Sequence, residues 1–147
     1  MIILSDYIEM KKIWYDDDMT ELKVVCSSDI ITASAKTYVC DSLIDELIYE
    51  ISQFLDGKNA EGYWMVGTYG DKYPACISLR FLHKDNLGHV LVEVYMELND
   101  GGKDTEHNCC FYINTETGLL TRFRDELPRL KQKDSDVRVV LNDSGEI

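Results

Sequence analysis

Ten residues, HVLVEVYMEL (89–98), constrain the fold of this chain more than any other stretch. Val90, Val92, Val94, Met96 and Leu98 alternate with His89, Leu91, Glu93, Tyr95 and Glu97. A period of two places one set on each face of a β-strand, and the β-branched content opposes a helix. The spacing also answers a chemical question. Histidine beside carboxylates is the vocabulary of a metal site or an acid–base pair, and in a helix His89 and Glu93 would be neighbours. Along a strand they lie about 13 Å apart, too far to share an ion. The segment is predicted to bury its valines and to present His89, Glu93, Tyr95 and Glu97 on its other face.

Comparable patterns surround it. Strands are predicted at 5–17, 22–28, 30–40, 62–69, 75–82 and 105–114, with turns at DDDMT, Ser27–Asp29, GDKYP, HKDNLG and NDGGKD. In 105–114, Cys109, Phe111 and Ile113 face one way. A helix is predicted over DSLIDELIYEISQFLDG, whose Leu43, Ile44, Leu47, Ile48, Ile51, Phe54 and Leu55 recur every three or four residues. Asp41 or Ser42 can cap its start, and Gly57 supplies its left-handed stop. A second helix is predicted over 116–130, with Leu119, Leu120, Phe123, Leu127 and Leu130 as its buried stripe and Gly118 and Pro128 disturbing its ends. In the polar segment 131–147, Val137, Val139 and Val140 leave open a short edge strand or a loosely attached tail. The expected architecture is α+β: a single domain, 1–147, with an antiparallel meander sheet of about six strands and two helices on one face.

Charge and cysteine usage bound the function. Twenty-seven acidic residues against fifteen basic ones give −12. No basic stripe is visible along the chain, which argues against direct nucleic-acid binding, and anionic membrane surfaces are disfavoured for the same reason. A basic protein partner fits this charge. Apolar runs fall far short of a bilayer span, and MIILSDYIEMKKIW lacks the pattern of a signal peptide, so cytoplasmic residence is expected. Five cysteines at 26, 40, 76, 109 and 110, odd in number and without CxxC, predict reduced thiols.

No motif announces catalysis, a metal or a cofactor. Cys40, just before the first helix, sits where the dipole lowers a thiol pKa, but no histidine is tied to it as a base. The rival enzymatic reading draws on His83, His107 and Cys110, whose strands adjoin and whose side chains would have to converge in space. A third reading is a structural or regulatory subunit. What stands out instead is surface: Tyr95 between Glu93 and Glu97, and the exposed run Asp16, Asp17 and Asp18. Aromatics suit anchoring and carboxylates suit steering at a protein interface.

The succession of a helix ending in DG, then GYW, LRF, GHVLVEVYMEL and a final LLTRFRDEL helix, across residues 20–130, resembles small acidic bacterial immunity-type proteins. The likeness is to WapI-like proteins encoded beside polymorphic or contact-dependent toxins, and its sharpest element is Gly88-His89-Val90. The resemblance implies a non-catalytic protein that binds a cognate toxin domain, often a nuclease, and occludes it. It transfers no functional residues, because the matched motif is a structural one.

Overall fold

The computed structural model describes residues 6–67, 76–98, 100–134 and 136–143. Strands β1 (Tyr7–Tyr15), β2 (Thr20–Ser27) and β3 (Thr32–Val39) precede helix α1 (Asp41–Leu55). Strands β4 (Gly62–Val66), β5 (Ile77–His83), β6 (His89–Leu98) and β7 (His107–Glu116) follow. Helix α2 (Thr117–Glu126), a 3₁₀ turn (Leu127–Lys131) and β8 (Arg138–Asn142) complete the order. The end of the strand read at 62–69, the turn GDKYP and residue 75 lie outside the described residues.

The α+β class is as expected, but the strands form two antiparallel sheets of four rather than one sheet of about six. The first sheet has the order β3-β2-β1-β8 and the second β4-β5-β6-β7. Alternation decides which face of a strand is apolar, not which strand lies beside it. Here α1 intervenes between β3 and β4, packs against both, and lets β4 begin a new ladder. The apolar faces of the two sheets then share one core with both helices.

That core holds Ile8, Met10, Leu22 and Val24 from the first sheet. Trp64, Leu79, Phe81, Val92, Val94 and Ile113 come from the second, and Ile44, Leu47, Ile51 and Phe54 from α1. The alternation in β6 is realised as read, with Val90, Val92, Val94 and Met96 fully buried and Leu98 half-buried. Cys40, rather than Asp41 or Ser42, is the residue flanking the α1 start, and Gly57 leaves the helix at φ 73°. Gly88, at φ 90°, makes the turn into β6, and its carbonyl accepts the Thr117 N–H at 2.9 Å. The Gly-His-Val signature is therefore a turn that docks the start of α2.

Pro128 shortens the second helix. α2 ends at Glu126 and the chain tightens into the 3₁₀ turn, which buries Leu127 and Leu130. Leu119 is only half-buried. Beyond it, Val137 is buried just before β8, which pairs antiparallel with β1 and buries Val139 and Leu141, while Val140 lies on the opposite face.

Candidate functional site

One rung of the second sheet runs Tyr63, Arg80, Glu93, Tyr112 across four strands, each residue directly opposite the next. Their side chains interlock on the outer face. The Arg80 guanidinium lies over the Tyr63 ring at 4.7 Å. It approaches Glu61 at 3.2 Å and Glu93 Oε1 at 3.5 Å. The Tyr112 phenol donates to Glu93 Oε2 at 2.8 Å. The accepted bond, and then the charge of Glu93, raise the Tyr112 pKa above its ordinary 10.0. On the adjoining rung, Tyr95 is raised by burial first and by Glu97 second, and Cys110 opposite it by burial and by Glu93. Glu93, Tyr95 and Glu97 thus share one face, as their period of two requires. Arg80, Tyr63 and Tyr112 complete it, and only strand register reveals the first two.

Asp16, Asp17 and Asp18 belong elsewhere, on the β1–β2 turn of the first sheet. Asp16 Oδ1 accepts the N–H groups of Asp18 and Met19, both at 2.8 Å, which hold its carboxyl below the ordinary range. Asp17 pairs with Lys133 at 2.5 Å. The turn edges a narrow crevice that Lys12, Asp41, Lys131 and Gln132 also line. Lys12 is buried there, its ammonium donating to the Gln132 carbonyl, and burial lowers its pKa. The run of aspartates is first of all a turn, and it does not join the Glu93 face.

The three residues of the enzymatic alternative do not converge. His83 lies opposite Val90 and His107 opposite Leu98, eight residues along β6. That separates them by about 26 Å along the sheet. Cys110 is on the outer face, whereas His83 stacks on Phe54 of the core at 4.2 Å. His107 Nε2 donates to the Asp100 carboxylate at 2.8 Å, and His89 Nδ1 meets Asp85 at 2.6 Å rather than Glu93. Among the described residues, no group of three or more His, Cys, Asp or Glu is placed to hold a metal ion. All five cysteines are free. Cys40 Sγ lies 3.0 Å from the Ser42 hydroxyl, the main cause of its lowered pKa, with backbone N–H groups adding to it.

The first sheet carries a feature that a linear reading misses. Lys36, Lys23, Lys11 and Arg138 lie directly opposite one another on β3, β2, β1 and β8. All four are exposed. The basic stripe that cannot be seen along the chain is assembled by register from positions far apart in sequence.

No family model, curated protein or solved structure matches the chain. No helix among the described residues is long and apolar enough to cross a membrane.

Proposed function

We propose that the chain is a non-catalytic binding module that meets a basic protein partner on the outer face of the β4–β7 sheet. The observation that carries this reading is the Tyr63–Arg80–Glu93–Tyr112 rung. Tyrosine and arginine are enriched where interface energy concentrates, tyrosine because it gives large contact area for few rotors and arginine because its planar guanidinium offers five donors. Here the rung is held in place before any partner arrives, by the 2.8 Å Tyr112–Glu93 bond and the Arg80 contacts. Preorganisation lowers the ordering cost of association. Tyr95 and Glu97 extend the face, and the net charge of −12 speeds encounter with a cation-rich surface. Asp16, Asp17 and Asp18, on the other sheet, contribute only to that long-range field.

The immunity-type resemblance narrows the partner to a toxin domain encoded beside this chain and the mechanism to occlusion. Two features support it: the acidic charge, and an outer face built of ordered polar and aromatic side chains. Co-purification from the native host at low salt, with identification of the bound protein, is the direct test. A basic partner displaced by Tyr95→Ala with Glu97→Lys supports the reading. Absence of any basic protein in the eluate, or capture that both substitutions leave intact, rejects it.

A further inference from the structure

Opposite like charges weaken a ladder, and nothing in the fold of the first sheet requires four cations on one rung. Among the described residues, Lys11, Lys23 and Lys36 have no carboxylate within 4.0 Å, and Arg138 has only Glu9, at 3.4 Å. With neighbouring strands about 4.8 Å apart, the row spans about 14 Å of exposed sheet. The adjoining rung is Trp14, Glu21, Tyr38. A bulge in β1 between Lys12 and Trp14 leaves the Trp14 ring 48% exposed, edge-on to Tyr38 with centroids 6.3 Å apart.

We propose that this outer face binds single-stranded nucleic acid, with phosphates along Lys36, Lys23, Lys11 and Arg138 and bases against Trp14 and Tyr38. A cationic track beside the exposed Trp14 ring and the half-buried Tyr38 ring is the combination that single strands need, because every base offers a π-face. An acidic polypeptide is the competing polyanion. It satisfies the charges but offers no flat face to stack on Trp14. Glu21, on the strand between those of Trp14 and Tyr38, repels phosphate from the aromatic rung. The register of phosphate on one rung and base on the next is thereby set. A duplex keeps its bases stacked away from Trp14 and brings more phosphate near the acidic remainder of a −12 molecule. This surface is on the sheet opposite the protein-binding face, and neither reading rests on the other.

The test is fluorescence anisotropy of the full chain with labelled oligodeoxythymidylate and oligouridylate, with a blunt duplex and poly-L-glutamate as competitors. Saturable binding at low salt is expected, with a log–log salt slope of about −2 to −3 for three or four phosphates. Tryptophan fluorescence should be quenched, through Trp14, since Trp64 is 3% exposed. The triple variant Lys11→Gln, Lys23→Gln, Lys36→Gln should weaken binding about tenfold or more, and Trp14→Ala should abolish the quenching. The corresponding triple arginine variant, with the same charge, should retain binding, which separates loss of charge from loss of fold. Absence of binding at low salt, or affinity unchanged by the glutamine variant, overturns the proposal. Competition by poly-L-glutamate as effective as by the oligonucleotide also overturns it, and assigns the face to an acidic protein.

Discussion

The Tyr112 phenol reaches across the β6–β7 ladder to Glu93 at 2.8 Å, while Arg80 holds the other carboxylate oxygen from β5 at 3.5 Å. Glu93 is thus fixed from both sides on a solvent-facing rung, where such bonds add little to folding. At neutral pH Tyr112→Phe is expected to lower the urea midpoint only slightly. Affinity for the basic partner should fall about tenfold, since the variant releases Glu93 and removes a polar tip from the face. Calorimetric titration beside urea unfolding separates the two. A large stability loss with unchanged affinity would make the rung structural.

The pH dependence of stability should have two limbs. Tyr112 is raised above 10.0 by the bond to Glu93 and by its charge. Its contribution is present below that ordinary value and is lost as pH rises through the higher folded value. Asp85 is lowered beneath 3.8, first by the Leu87 N–H and then by His89. Its contribution is present above 3.8 and is lost as pH falls through the lower folded value. Urea midpoints measured against pH should show Tyr112→Phe flattening part of the alkaline limb and Asp85→Asn part of the acid one.

Gly57 offers a clean measure of backbone strain. It sits at φ 73°, and a Cβ added there meets nothing within 4 Å. Gly57→Ala should therefore cost about 1 kcal/mol from conformation alone, and Gly57→Asn less, because asparagine tolerates the left-handed region. A neutral alanine variant in thermal unfolding would show that α1 ends without needing this conformation.

The final strand should prove integral to the core. Leu141 is 1% exposed and lies opposite Ile8 in the β8–β1 ladder. Leu141→Ala is expected to cost about 2–5 kcal/mol by guanidinium unfolding. Truncation before Arg138 bares the edge of β1 and should cause concentration-dependent association, visible by light scattering. A monomeric, equally stable truncation would refute the assignment.

Much of the architecture is legible in local pattern. The three- and four-residue recurrence from Leu43 to Leu55 is α1, with Ile44, Leu47, Ile51 and Phe54 at its buried centre. The alternation of 89–98 is β6, a strand that sets His89 and Glu93 four residues apart along it. The second helix is found but overextended, because Pro128 converts its last part into a 3₁₀ turn rather than merely fraying it. The edge strand that Val137, Val139 and Val140 leave open is decided by Leu141, which adds a third inward position after Val137 and Val139. The candidate site is half legible: Glu93, Tyr95 and Glu97 share a face, whereas Arg80 and Tyr63 carry no signal until β4 and β5 are placed beside β6.

Local pattern along the chain sets the period of each element, and therefore which side chains turn inward and which turn out. Packing between elements selects which outward side chains become neighbours. Two sheets replace one, His83 and His107 are set opposite the two ends of β6, and Tyr63, Arg80, Glu93 and Tyr112 are drawn into one rung. Lys11, Lys23, Lys36 and Arg138 are gathered into another. The physical reason is that side-chain direction follows from the backbone of a single strand, whereas partner and register follow from packing between strands distant in sequence.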